Sequence, residues 1–360
     1  MKLGIVGLPN AGKSTLFNAL TGAGAETGAY TNAAAKPNLG SARVPDERLD
    51  WLAEYYHPKK YSPASIDFVD IAGISPGSGK GNALLQTVRQ TDALVHVVRC
   101  FENEELFVEQ ADPRRDAQEL DTELILADME VVERRLDKAR KAAKGGDKKY
   151  RREAEMCQAL LSHLSDEKPA RTFPFTEEDA DILQDGGLLT VKPVIYAANL
   201  DENGMADYAN NPLFLSLKAL AEEQGAAVLP VAAKFEEDIA DMDADEAAMF
   251  MEELGLTERG LDRLIRTSYD LLGYISFLTA GEDDVHAWTI VRGTKAPRAA
   301  GKIHTDIERG FIRAEIVAFE DLKACGSMAA ARDKGLIRLE GKDYVMQDGD
   351  VTNFRFNVTK

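Results

Sequence analysis

Cysteine is scarce: three in 360 residues, Cys100, Cys157 and Cys325, none in a Cys-x-x-Cys pair. That spacing excludes a disulfide framework and a zinc site, and the hydrophobic neighbours of all three read as buried thiols in a reducing compartment. No apolar stretch reaches the roughly 20 residues of a membrane span, so the expectation is a cytoplasmic protein with no membrane partner. Positive charge is also short, with 43 Lys and Arg against 61 Asp and Glu and a formal net charge of −18. A surface of that sign repels phosphate, which excludes nucleic acid wrapped over the whole molecule and speaks against sequence-specific DNA binding. Any RNA contact must be local. One candidate is the stretch 134–152, where ten Lys or Arg stand against Asp137 and Asp147, although such a run also reads as a solvated helix face.

A length of 360 residues with 44% hydrophobic content implies more than one domain. The first apolar run, 3–6, leads through a glycine loop into an amphipathic stretch (Leu16, Phe17, Ala19, Leu20), a strand-loop-helix unit. Further short apolar runs at 66–70, 93–100, 191–198 and 227–231 alternate with helical segments, the pattern of a doubly wound, mostly parallel α/β sheet covered on both faces. Between the second and third of these lies a helical insertion. Ile125, Met129, Val132, Leu136, Ala139 and Ala143 recur at steps of four and three, and after Gly145-Gly146 so do Tyr150, Ala154, Cys157, Leu161 and Leu164. Two such seams predict an antiparallel coiled-coil hairpin with the basic cluster near its tip. From about 279 short alternating runs (286–291, 311–317, 343–346) and a helical piece at 322–334 predict a small α+β domain. The expected division is 1–110 with 187–278 for the α/β domain, 111–186 for the hairpin and 279–360 for the last domain.

Gly7-Leu8-Pro9-Asn10-Ala11-Gly12-Lys13-Ser14-Thr15 fits the phosphate-loop pattern G-x-x-x-x-G-K-[ST] and lies between an expected strand and an expected helix. The loop Pro9 to Thr15 then cradles phosphates, its non-proline residues supplying backbone N–H groups, Lys13 reaches the β- and γ-phosphates, and the Ser14 hydroxyl ligates Mg²⁺. Asp70-Ile71-Ala72-Gly73 closes a hydrophobic run as D-x-x-G: Asp70 is the second metal candidate, and the Gly73 N–H senses the γ-phosphate. Where GTPases carry Asn-Lys-x-Asp, whose Asp accepts from guanine, the chain has Asn199-Leu200-Asp201-Glu202. The Lys is absent and the acid is one methylene longer. A site of that kind loses its guanine preference and can read adenine instead; an Asx turn at Asn199 and Asp201 is the plainer alternative. Ala232-Ala233-Lys234 occupies the place of the last base-contacting loop. His96, inside an apolar run, reads as a core histidine. Trp288 reads as core rather than a base-stacking platform, and the cations Arg292, Lys295, Arg298, Lys302, Arg309 and Arg313 fit either a phosphate-contact surface or ordinary loops.

These residues in this order resemble the Obg-like ATPase (YchF) family. The likeness runs from the phosphate loop through Asp70-Ile-Ala-Gly73, His96-Val-Val-Arg-Cys-Phe-Glu-Asn103, Lys144-Gly-Gly-Asp147 and Asn199-x-x-Glu202 to Ala299-Ala-Gly-Lys-Ile-His-Thr-Asp306 and Glu308-x-Gly-Phe-Ile-Arg-Ala-Glu315. It implies a P-loop domain that prefers ATP, an inserted hairpin, a C-terminal β-grasp (TGS) domain and association with the ribosome or its RNA. Three departures stand out. Ala34 occupies the place of the family's metal-reaching switch I Thr, with Thr31 nearby; the segment 74–81 is shorter than the family's glycine-rich switch II; and residues 104–110 contain no His where the family is thought to recruit one, while Ile74 replaces the catalytic Gln of Ras-like domains. No catalytic base is named. The expectation is slow Mg²⁺-dependent ATP hydrolysis in a nucleotide switch, with GTP hydrolysis and nucleotide-gated binding without turnover as the other open readings.

Overall fold

Continuous apolar runs become the inner strands of a parallel sheet. The structure, a computed structural model, describes residues 2–22, 37–71, 81–104, 107–179, 187–240 and 242–357. Strands β1 (Lys2–Val6), β2 (Asn38–Arg43), β4 (Ser65–Asp70), β5 (Ala93–Arg99), β6 (Val194–Asn199) and β7 (Ala227–Val231) form a six-stranded sheet in the order β2-β4-β1-β5-β6-β7. β5 and β6 are buried along their whole length, as strands with helices on both faces must be. The pairs β1–β4, β1–β5, β5–β6 and β6–β7 are parallel, and the register sets Val6 beside His96, Arg99 beside Asn199 and Asn199 beside Val231. The carboxyl ends of five strands therefore meet along one edge, where open α/β sheets bind ligands.

The insertion is the expected hairpin. Helix α4 (Pro113–Ala143) is capped by Asp112, whose carboxylate accepts from the Arg115 N–H, and α5 (Lys148–Ser165) by Asp147. Gly146, at φ 86, supplies the left-handed residue that the turn between them needs. On α4 the expected seam holds at Ile125, Val132, Leu136 and Ala139, which are buried. On α5 the expected seam holds at Cys157 and Leu164, which are buried, and at Ala154 and Leu161, which are partly buried against the same core; Met156 and Leu160 widen it, and Tyr150 is 40% exposed. Two carboxylates that periodicity gave no reason to notice anchor the base of the hairpin. Fully buried Asp128 accepts from the N–H groups of Leu189 (2.7 Å) and Thr190 (2.8 Å) and from the Thr190 hydroxyl (2.6 Å). Buried Asp121 accepts from Arg171 (2.9 Å) and Gln224 (3.0 Å).

The chain divides into two compact units, 1–41 with 67–264 and 42–66 with 265–360. In these units the hairpin lies with the parallel sheet, and residues 42–66 and 265–278 lie with the C-terminal sheet. That unit holds a mixed sheet in the order β11-β10-β12-β8-β9-β3, built from β3 (Lys60–Ser62), β8 (Tyr274–Ala280), β9 (Asp284–Val291), β10 (Phe311–Ala318), β11 (Arg338–Glu340) and β12 (Asp350–Phe356). β8 and β9 form an antiparallel pair, β10 and β12 another, and β12 joins β8 in parallel at the centre, the β-grasp arrangement. β3 adds itself in parallel to β9. Helix α2 (Glu47–Tyr56) is clasped to the unit by Arg48, which donates to Asp46 (2.8 Å) and to Asp348 (2.8 Å). The run 343–346 is not a strand; Val345 makes a single bridge to Lys295. Trp288 is packed against the core, with His286 (3.7 Å between centroids) and Phe277 (6.2 Å) stacked on it and its N–H donating to Thr279, so it is no platform for a base. Of the cysteines, Cys100 and Cys157 are buried free thiols and Cys325 is partly exposed.

Asp128→Ala strands two buried N–H groups and a hydroxyl together, and should destabilise the chain by about 3 kcal/mol or more. Urea unfolding measures this. A loss below about 1 kcal/mol would mean that water replaces the carboxylate and that it does not anchor the hairpin.

Candidate functional site

The loop after β1 turns into helix α1 (Lys13–Thr21) through two positions where a side chain cannot fit. A Cβ on Gly7 would lie 2.4 Å from the Val97 carbonyl oxygen, and one on Gly12, at φ 95, would lie 2.3 Å from the Asn199 amide nitrogen. Asn10 also adopts a left-handed conformation, φ 61. No side chain caps α1, so its first-turn N–H groups are free of side-chain acceptors and the helix dipole favours an anion there. Pro9 and Asn10 are exposed, Ala11 is buried, and Ser14 and Thr15 are partly covered.

Lys13 is buried, and its ammonium donates to the Leu8 carbonyl (2.7 Å). Burial pulls its pKa down to about 8, with Asp70 partly offsetting the loss of hydration. The Ser14 hydroxyl donates to Asp70 Oδ2 at 2.9 Å, and Asn38 reaches the same oxygen at 3.5 Å. Asp70 Oδ1 is buried and has no hydrogen-bond partner among the described residues. A hydroxyl and a carboxylate with an unsatisfied oxygen are hard donors of the kind that suit Mg²⁺, which takes one or two carboxylates and leaves its other positions to water and substrate phosphate. Among the described residues no group of three or more His, Cys, Asp or Glu could hold a metal, so a tighter all-protein cage is not on offer there.

The structure brings the base-loop candidates to the same edge but assigns several of them other work. Asn199 is a strap: its amide donates to the Ala11 carbonyl (2.9 Å), and its oxygen accepts from the Ala233 N–H (3.0 Å). Leu200, a base-binding candidate, has its side chain buried in the hydrophobic core, and its N–H donates to Val231 O. Asp201 caps the short helix Glu202–Ala206 by accepting from Gly204 N–H (2.7 Å), the Asx-type turn held open above. Glu202 is exposed at the start of that helix. Ala232 and Ala233 are buried, and exposed Lys234 pairs with Glu237 (3.3 Å) and Asp238 (2.7 Å).

Two features were not visible in the sequence. Buried Arg99 lies over the Phe107 ring (3.8 Å) and donates to the carbonyls of Glu109 and Gln110, holding the segment from which the His is missing. A cavity of about 350 Å³ borders the phosphate loop at Leu8, Pro9 and Ala11 and is lined by His96, Arg99 and Phe107, not by Lys13, Ser14 or Asp70; phosphate chemistry is not read from it. His96 is a core residue packed on Tyr196, and burial pushes its pKa down to about 4. Gly73, Thr31, Ala34 and Ile74 lie outside the described residues.

Known proteins place this geometry. A family model described as a 50S ribosome-binding GTPase matches residues 2–132, and one for the C-terminal region of YchF GTPases, described as of unknown function, matches 274–357. The chain is 50% identical to the ribosome-binding ATPase YchF of Bacillus subtilis, with 99% of each chain covered. It is 41% identical to Obg-like ATPase 1 of Oryza sativa subsp. japonica over all of this chain and 93% of that one. The solved Schizosaccharomyces pombe YchF GTPase superposes with a TM-score of 0.87 at 36% identity, covering 99% of this chain and 97% of that one. The chain belongs to the YchF family of Obg-like ATPases. The parallel sheet, hairpin and β-grasp unit are thus shared with the solved YchF chain over nearly its whole length.

In the ligand-free chain Lys13 should titrate near pH 8, followed by the chemical shift of its labelled ammonium nitrogen. Asp70→Asn removes the charge that supports the cation and should lower that midpoint further; a midpoint near 10 in the unsubstituted chain would contradict the buried placement.

Proposed function

We propose that this chain is a Mg²⁺-dependent ATP-binding P-loop NTPase with slow hydrolysis, acting in the cytoplasm as a nucleotide switch whose state the ribosome reads. The observation that carries the chemistry is the Ser14–Asp70 pair with its unpartnered Asp70 oxygen beside the buried Lys13 ammonium. Residues Pro9 to Thr15 and the open end of α1 hold the phosphates, and the Gly73 N–H belongs with them. Lys13 leaves the Leu8 carbonyl for the β- and γ-phosphates. Ser14 and Asp70 hold Mg²⁺, which when bound neutralises charge on the transferring phosphoryl group. Without an assigned base, turnover rests on charge stabilisation and positioning and is slow.

Base choice follows from what the loop has lost. Asp201 is committed to its own helix, and Glu202 is exposed, so no carboxylate stands fixed to accept from guanine N1–H and N2–H₂. Adenine offers neither donor and forfeits nothing there, and it meets the Asn199 amide, the Leu200 carbonyl and the Ala232–Lys234 backbone. The relatives named ribosome-binding ATPases support the partner. The hairpin tip supplies a surface for ribosomal RNA: Lys138, Lys141, Lys144, Lys148, Lys149 and Arg151 are exposed there. The cations of the β-grasp unit are a weaker candidate, since Lys295 pairs with Asp343 and Arg298 with Glu308.

Calorimetric titration with ATP and GTP, each with Mg²⁺ and with EDTA, tests the reading. Mg-ATP should bind tighter than Mg-GTP, and Asp70→Asn should abolish the enhancement by Mg²⁺, a loss of about tenfold or more. Tighter GTP binding sinks the base reading, and an undiminished Mg²⁺ effect in Asp70→Asn sinks the metal site.

A further inference from the structure

The helix Ala244–Glu253 carries a surface that neither nucleotide chemistry nor the hairpin explains. Its inner side, Ala247, Met251 and Leu254, packs on the core of the parallel-sheet unit. Opposite that side stands Met249, 71% exposed, with Phe250 beside it at 46%. At 100° per residue, the positions flanking Met249 on the helix surface are i−4, i−3, i+3 and i+4. Those positions are Asp245, Glu246, Glu252 and Glu253, all exposed. One large apolar side chain thus projects to solvent from a ring of four carboxylates.

Helix stability accounts for only half of the ring. Asp243 caps the helix by accepting from the N–H groups of Asp245 and Glu246, and acids in a first turn complement the dipole. Glu252 and Glu253 sit in the last turn, where a negative charge opposes it. An exposed methionine adds no burial energy to the fold. Nor do the flanking cations answer the ring: residues 235–258 contain ten Asp or Glu and no Lys, Arg or His, and Arg259, which follows, is paired with Glu236 (2.9 Å). The preceding cation, Lys234, is already paired with Glu237 and Asp238.

We propose that this face docks a cationic amphipathic segment of a protein partner, with an apolar side chain seated on Met249 and Phe250 and lysines or arginines meeting the four carboxylates. Charge complementarity selects that occupant: RNA and anionic lipid are repelled by the ring, and a neutral apolar peptide leaves the carboxylates unanswered. The unbranched thioether of Met249 adapts to aliphatic or aromatic contacts. This surface is independent of the nucleotide reading and of the hairpin tip, whose charge has the opposite sign.

Two fluorescent synthetic peptides of equal charge test it on the full chain by anisotropy, one of alternating Lys and Leu clusters at helical spacing, the other with Ser in place of Leu. The Leu peptide should bind about tenfold tighter. Met249→Ser with Phe250→Ser should erase that preference while leaving the Ser peptide's affinity unchanged, and Glu252→Gln with Glu253→Gln should weaken both peptides. Equal binding of the two peptides, or a preference that survives Met249→Ser with Phe250→Ser, overturns the proposal. So does sedimentation of the chain alone as a dimer that Met249→Ser dissolves, because the occupant would then be a second copy.

Discussion

Everything at the carboxyl edge of the parallel sheet depends on the side chain of Asn199. Its amide spans the gap between the phosphate loop and the loop after β7, giving a hydrogen to Ala11 O and taking one from Ala233 N. Both backbone groups would otherwise be buried without partners, and each such orphan costs about 1–3 kcal/mol. The strap also explains Gly12: the amide nitrogen occupies the volume a Cβ would need. Register sets up the contact, because β5 and β6 run parallel with Arg99 beside Asn199 and so bring the end of β6 level with the loop that follows β1. The loop then has a fixed shape before any ligand arrives, and preorganisation of that kind is what lets backbone N–H groups hold a polyanion.

Buried carboxylates divide the molecule into parts that are closed and a part that is open. Asp121 and Asp128 are fully answered, by Arg171 and Gln224 in one case and by Leu189 and Thr190 in the other. Burial pushes the Asp128 carboxyl above its ordinary range while the hydrogen bonds from Leu189 and Thr190 hold it back. Such groups specify where the hairpin is rooted. Asp70 is buried too, but its Oδ1 has no partner among the described residues. Left in a dry interior, that oxygen carries a desolvation penalty, which a bound divalent cation would remove.

The same distinction decides what the amino-acid sequence could reveal. The four inner strands, the edge strand β7 and the phosphate loop were legible because strands covered by helices leave short apolar runs and because the loop needs Gly, Lys and Ser at fixed offsets. β2, Asn-Leu-Gly-Ser-Ala-Arg, is mostly exposed, and β3 has three residues; neither leaves a periodic signal, so the segment 42–66 could not be assigned to the β-grasp unit. Its membership rests on long-range contacts such as Arg48 with Asp348, 300 residues apart. The α5 seam was legible at Ala154, Cys157, Leu161 and Leu164, while the deep burial of Met156 and Leu160 beside it was not. At the base loop, residue type did not show that the Leu200 side chain packs into the core or that the Asn199 amide bridges Ala11 and Ala233.

Charge is distributed as a polarity rather than a background. A chain with a net charge of −18 places ten cations within residues 134–152 at a hairpin tip, and the hairpin is long, α4 alone spanning 31 residues. At about 1.5 Å per residue that carries the tip well over one Debye length from the hairpin's base at physiological salt. Screening over that distance means the acidic bulk does not cancel the tip, and the tip does not relieve repulsion in the bulk. A polyanion is repelled by acidic surface and drawn to the exposed cations of the hairpin tip, which biases the encounter before any contact forms. The length of the hairpin is therefore an electrostatic requirement as well as a matter of reach: a basic cluster set directly on the acidic domain would be neutralised by it.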